Sequence, residues 1–243
     1  MLHFESMKDG FLIEPEALRA EWPMRINKYL ASKNHSTRRG ADELIKKNLV
    51  LINGRFAVLG DKVNEADVVE VRGNKKASSY EYYAFNKPVG TLTEAINISG
   101  LFPIGRLDKD SHGLIILTND GRITDRLLNP KHVHDKEYVV KVKEKLRSNF
   151  KAKMEEGVQI ESERTAPAKV KILGDKTASW RFSVVLTEGK KHQIRRMCSA
   201  LFAEVEDLER IRIMNIELGK LAPNQQRKIE GEELKTFLKS LGL

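Results

Sequence analysis

The chain has little of several things. It has one cysteine, Cys198, in 243 residues. A lone thiol cannot form an internal disulfide and fits a reducing cytoplasm. No Cys/His cluster has metal-ligand spacing, so no metal is expected. No apolar run approaches the roughly 20 residues that a membrane helix needs. The N-terminal residues lack a basic start followed by an apolar stretch, so no secretory signal is expected. No Gly-rich phosphate loop, internal repeat or low-complexity tract stands out. What remains is a chain with ordinary apolar content, long enough to bury a core.

Charge is the first positive signal. The formal net charge is +9, a balance that favours a polyanionic partner. Its distribution is uneven. Residues 1–23 are acidic, with Lys8 and Arg19 against Glu5, Asp9, Glu14, Glu16 and Glu21. Residues 24–76 carry twice as many basic as acidic side chains, Arg38, Arg39, Lys46 and Lys47 among them.

Periodicity divides the chain. Residues 1–23 read as a loosely attached extension. Residues 24–72 read as a small domain. Ile26, Tyr29 and Leu30 fall at helical spacing. Ser36 or Thr37 can cap a second helix with Ala41, Leu44 and Ile45 on its inner face. A short strand is expected at Leu49–Ile52, a turn at Asn53-Gly54, and a closing strand at Val68–Val71. Residues 73–79 are polar and aperiodic, a linker by composition. Residues 80–243 hold strand-like runs at 82–85, 114–117, 137–142, 168–173, 180–186 and 211–218. Helical stretches are expected near 120–129, 144–155, 190–202 and 231–240. Without βαβ alternation, the expected class is α+β around a mostly antiparallel, mixed sheet.

Two resemblances add to this. MRINKYLASKNHSTRRGADELIKKNLVLINGR resembles the small RNA-binding domain first found in ribosomal protein S4. That likeness implies that Arg38, Arg39, Lys46 and Lys47 face structured RNA, where phosphate contacts position without reading sequence. The larger part resembles the pseudouridine synthases that modify ribosomal RNA. The segments that carry the likeness are NKPVG from Asn86, FPIGRLDKDSHGLIILTND from Phe102, HDKEYVVKV from His134, and EGKKHQIRRMC from Glu188 with LERIRIMNIELG behind it.

That family breaks the glycosidic bond of a uridine, turns the base over and rejoins it through carbon 5, with no redox change and no external group. The resemblance therefore implies no small-molecule cofactor. It implies that Asp108 is the catalytic carboxylate, acting either as a nucleophile at the sugar or as a base that abstracts a sugar proton. Asp110 is left as a loop residue or helper. Arg195 is expected to pair with Asp108, Tyr138 to lie against the uracil, and Ile194 to pack on the target base. Arg106 is expected to help evict the nucleotide, since a stacked base is out of reach. Lys87 is read as binding substrate phosphate or as structural. His112 and His192 show no carboxylate partner in the sequence and are read as structural or RNA-contacting. The stretch Gly90–Phe102 is shorter than in relatives and borders the site.

The expected function is isomerisation of a uridine in large-subunit rRNA by a single copy of the chain in the cytoplasm. The alternatives are a non-catalytic RNA-binding or ribosome-assembly factor, and a related synthase acting on small-subunit rRNA or tRNA.

Overall fold

The computed structural model describes residues 22–33, 35–73, 79–96, 98, 100–129, 131–174 and 179–243. Most of the expected extension at 1–23, and the heart of the expected linker at 73–79, lie outside the described residues.

The small domain follows its local signals. It runs β1 (Met24–Arg25), α1 (Ile26–Ser32), α2 (Arg38–Lys46), β2 (Val50–Ile52), β3 (Arg55–Phe56), β4 (Lys62–Val63) and β5 (Val69–Val71). Thr37 caps α2 by accepting the Gly40 N–H at 3.1 Å. Ala41 and Ile45 are buried against Ile26, Leu30, Val50 and Val63. Asn53 and Gly54 both take positive φ, 49° and 79°, the backbone that a two-residue hairpin between β2 and β3 requires.

The second unit contains β6 (Tyr82–Lys87), β7 (Phe102–Ile104), β8 (His112–Thr118), α3 (Arg122–Leu128), β9 (Lys136–Val142), α4 (Phe150–Glu156), β10 (Gln159–Ile160) and β11 (Glu163–Arg164). It continues with β12 (Lys169–Leu173), β13 (Arg181–Leu186), α5 (Gln193–Ala200), β14 (Val205–Ile213), β15 (Ile216–Glu217), β16 (Gln226–Lys228) and α6 (Gly231–Ser240). One mixed sheet runs in the order β12-β13-β9-β14-β8-β6-β16, with β7 and β15 paired onto β8 and β14. All its pairings are antiparallel except that of β14 with β8.

Strand β8 is apolar on both sides because both faces are covered. Leu114 and Ile116 pack with α3 and α6, while Ile115 and Leu117 pack with Phe85 and Leu107. The Thr118–Asp120 stretch that follows is structural. Asp120 is fully buried and is bound by the Tyr82 hydroxyl at 2.5 Å and the Arg122 guanidinium at 2.8 and 2.9 Å. Burial and the Asp120 carboxylate push the Tyr82 phenol far above its ordinary range. Burial likewise pushes the Cys198 thiol up to about 12.

Two expectations change. The helix expected at 144–155 starts only at Phe150, because the Lys143 and Leu146 N–H groups donate to Glu204 and Ser179 carbonyls. The run 211–218 is not one strand. Met214 turns with φ 51°, and Ile216–Glu217 folds back onto β14.

Gly113 marks the tightest approach in the sheet. It has φ +103°, and a Cβ there would sit 2.3 Å from the Arg210 carbonyl oxygen. Gly113→Ala is therefore expected to cost about 3–5 kcal/mol, a backbone clash added to positive-φ strain. Urea unfolding checks this, and a shift near zero would mean that the β8–β14 pair has room to spare.

Candidate active site

Asp108 lies in the loop between β7 and β8, and nearly every residue around it is held from outside. Arg210 donates through Nη1 to the Arg106 carbonyl at 3.4 Å. The Thr93 hydroxyl accepts the Leu107 N–H at 3.0 Å and donates to the Leu107 carbonyl at 2.9 Å. Gly90 N–H and Lys87 Nζ donate to the Lys109 carbonyl at 2.8 and 3.4 Å. Arg195 Nη2 donates to the Asp110 carbonyl at 2.9 Å and lies 3.4 Å from the Ser111 hydroxyl. Ser111 N–H closes the turn on the Asp108 carbonyl at 3.1 Å. Lys87, Thr93, Ser111 and Arg210 are all buried. The Asp108 carboxylate is 40 % exposed. A loop held this way presents the Asp108 carboxylate half-exposed, beside the more exposed Asp110, with the preorganisation that a reacting group needs.

The sheet register explains how distant segments meet here. Lys87 pairs with Gly113, Gly113 with Arg210, Arg210 with Tyr138, and Tyr138 with Val184. These residues form one row across five strands. Residues in one row share a face, so the row gathers four motif segments beside the loop. Tyr138 is partly buried and touches the cluster that contains Leu107 as well as the core beneath α4 and α5.

The row also concentrates buried positive charge. Burial pulls the Lys87 ammonium below the usual lysine range and Arg210 adds to the fall, while the Asp108 and Asp110 carboxylates oppose it. Lys136, on the same strand as Tyr138, is lowered by burial and by Arg210, opposed by Asp135. The Arg210 Nη2 is buried without a hydrogen-bond partner, though its Nε donates to the Leu114 carbonyl at 2.7 Å.

Comparison with known proteins matches this arrangement to a chemistry. Residues 86–200 match the RNA pseudouridylate synthase family, and residues 24–69 match the S4 domain. The dual-specificity RNA pseudouridine synthase RluF of Escherichia coli is 38% identical over 227 residues, which cover 87% of this chain and 77% of that protein. The chain belongs to the RNA pseudouridine synthases. The ribosomal large subunit pseudouridine synthase B of Bacillus subtilis is 35% identical, covering 87% of this chain and 94% of that one. A crystal structure of a pseudouridylate synthase superposes with a TM-score of 0.64 at 28% identity, covering 90% of this chain and 99% of the other.

The candidate site residues of this synthase differ in their surroundings. Tyr138 packs against the cluster that holds Leu107, the residue before Asp108. Arg195 reaches the same loop but makes no ion pair with Asp108. Its guanidinium is taken up by the Asp110 carbonyl, the Ser111 hydroxyl and, at 3.3 Å, the Val205 carbonyl. Ile194 is a core residue at 4% exposure, packed with Met197 and Cys198. Lys87 is fully buried and donates to the carbonyls of Pro88, Thr91 and Lys109. It cannot reach a substrate phosphate, so its structural reading stands. Arg106 is exposed, with Glu94 at 3.5 Å, and is open to RNA. Arg196 pairs with Glu161 at 3.0 Å.

Thr93, Ser111 and Arg210 are the loop-holding residues that sequence reasoning missed. Arg210 lies one residue before the strand-like run expected at 211–218, and none of the three stood out locally. His112, read as lacking a carboxylate, faces Asp207 at 2.9 Å and Glu209 at 3.7 Å. Among the described residues, no group of His, Cys, Asp and Glu could hold a metal, and no helix is long and apolar enough to cross a membrane.

In the S4 domain Arg38, Arg39, Lys46 and Lys47 are all exposed. Lys46 is partly neutralised by Glu43 at 2.7 Å. Arg38 and Arg39 open α2 with no acidic residue in its first turn. Cations there oppose the helix dipole at a cost of a few tenths of a kcal/mol each. Their placement suits an anionic partner better than it suits the helix.

Proposed function

We propose that this synthase isomerises one uridine of ribosomal RNA, in the large subunit, acting as a single copy in the cytoplasm without a small-molecule cofactor. The S4 domain docks on structured RNA through Arg38, Arg39 and Lys47, with Lys46 contributing less. The target nucleotide leaves its stack, with Arg106 at the entrance, and its sugar meets Asp108. Either route open to Asp108 needs the same thing: an anionic oxygen held still beside the sugar while the uracil detaches, turns and rejoins through carbon 5. Tyr138 lies against the ring.

The observation that carries this reading is the Asp108 carboxylate, half-exposed on a loop whose backbone is gripped on both sides of it. The large-subunit assignment is supported by the names of relatives such as the Bacillus subtilis enzyme. A relative named as a small-subunit synthase, from Pasteurella multocida at 32% identity, keeps the other target in view.

The test is to incubate the protein with unmodified large- and small-subunit rRNA and tRNA, and to map pseudouridine by carbodiimide primer extension. One new stop in large-subunit rRNA is expected. A stop confined to another RNA would refute the target, and no stop with intact RNA binding would refute the activity.

RNA affinity is expected to fall steeply with salt, because each phosphate contact releases condensed counterions. Replacing both Arg38 and Arg39 with alanine should flatten the log–log salt slope by about 2, roughly 1 per lost contact. An unchanged slope in a filter-binding titration would remove α2 from the docking surface.

A further inference from the structure

Among the described residues Asp108 has one ion-pair partner, and it comes from 84 residues away in the chain. His192 Nε2 lies 3.3 Å from Asp108 Oδ1, with the two side chains 49% and 40% exposed. Among the described residues, no other side chain forms an ion pair with Asp108. The basic group expected there, Arg195, is bound to backbone and to Ser111 instead.

His192 does not reach this position by default. It immediately precedes α5 in the left-handed region, φ 50° and ψ 30°. That conformation costs a non-glycine residue about 1–2 kcal/mol and persists only where the surroundings impose it. The surroundings are visible. Gln193, 4% exposed, donates its amide to Glu188 and accepts the Lys190 N–H at 3.0 Å. Glu188 also accepts the Ala166 N–H at 2.9 Å. Lys190 Nζ reaches Glu163 at 2.9 Å and Glu188 at 3.6 Å. The His192 carbonyl accepts the Arg196 N–H at 3.0 Å. The network braces residues 188–196 and sends one strained imidazole out towards Asp108.

We propose that His192 is a positioning residue for the reaction: its imidazole, in contact with Asp108 Oδ1 at 3.3 Å, fixes the rotation of the carboxylate and leaves Oδ2 for the sugar. The loop grips already described hold the backbone at Arg106, Leu107, Lys109 and Asp110. None of them sets the side-chain torsion of Asp108. An exposed carboxylate with a fixed backbone still rotates, and a rotated carboxylate misses the sugar by the width of an atom. His192 supplies the missing constraint. This role deepens the proposed function and rests on it. The competing role is an RNA contact, in which the imidazole meets a phosphate and has no effect once RNA is bound.

The discriminating variants are His192→Gly and His192→Gln in the full chain. Glycine removes the imidazole and accepts positive φ without strain, so the protein should melt no lower than the parent. Single-turnover rates are measured at saturating unmodified rRNA, with RNA affinity measured separately. For His192→Gly we expect a rate loss of about 100-fold, the effect of misplacing a reacting group by roughly 1 Å, with RNA affinity unchanged. His192→Gln keeps an N–H donor and should recover most of the rate. The inference is overturned if His192→Gly weakens RNA binding while the saturated rate holds, if neither quantity moves, or if glutamine is as slow as glycine. Asp108→Asn is run alongside. If that variant still makes pseudouridine, the proposed function itself fails. If it is inactive while His192→Gly runs at full rate, only the role of His192 is lost.

Discussion

Asp108→Asn is expected to abolish pseudouridine formation while leaving the fold and RNA affinity intact. The substitution keeps the shape of the side chain and removes the anionic oxygen on which both candidate routes depend. The loss should reach at least ~10⁴-fold, the upper end of what a positioned proton-transfer group contributes. No stability change is expected, because the carboxylate is 40 % exposed and its contact with His192 is a half-exposed one. The loop keeps its shape through Arg210, Thr93, Lys87 and Arg195, which bind backbone atoms and Ser111, not the Asp108 side chain. The measurement is a time course of pseudouridine yield on unmodified rRNA, with melting temperature and RNA affinity as controls. Residual activity within ten-fold of the parent (an order of magnitude, far below the loss expected of a reacting group) would move the chemistry to another residue, with Asp110 the nearest candidate.

Lys87→Met should unfold more easily and leave RNA binding alone. Methionine matches the length of the lysine and fills the same buried space, but it cannot donate. The carbonyls of Pro88 and Thr91 lose donors at 3.1 and 2.7 Å, while the Lys109 carbonyl keeps the Gly90 N–H. Each stranded, partly buried acceptor costs about 1–3 kcal/mol at most. Removing a buried charge returns part of that, and a net loss of about 2–4 kcal/mol is expected on the same scale. The slower chemistry should follow from a looser loop, so the saturated rate falls and the affinity for rRNA does not. Urea unfolding and RNA titration separate the two possibilities. A variant of full stability with weakened RNA binding would restore Lys87 to the substrate-binding role suggested by its motif.

The residues that were legible in the sequence have short-range causes. Thr37 caps α2 because its hydroxyl reaches an N–H three residues on. Asn53-Gly54 turns because those residue types tolerate positive φ. Ile115 and Leu117 against Leu114 and Ile116 announce a strand buried on both sides. The candidate carboxylate was legible through its motif, which keeps Asp108 in a short loop before that strand. The misreadings share the opposite cause. Lys87 was left open between phosphate ligand and structural residue because the carbonyls that take up its ammonium, those of Pro88, Thr91 and Lys109, lie outside β6. Ile194 looked like a base-facing residue because nothing local shows α5 packing on β14 and β10. Arg195 looked like the partner of Asp108, and one turn of backbone at His192 gave that place to another residue.

By itself the sequence determined the two-part organisation, the elements of the small domain and the class of reaction, and it singled out one aspartate as the candidate for the chemistry. Each of these rests on periodicity, capping or contiguous motif, which act over a few residues. The tertiary structure alone decided what surrounds the aspartate. Register across β6, β8, β14 and β9 places Lys87, Gly113, Arg210 and Tyr138 in one row, and a braced loop brings His192 to Asp108. Those contacts join residues tens of positions apart. Their geometry follows from strand pairing and burial, which no local pattern encodes.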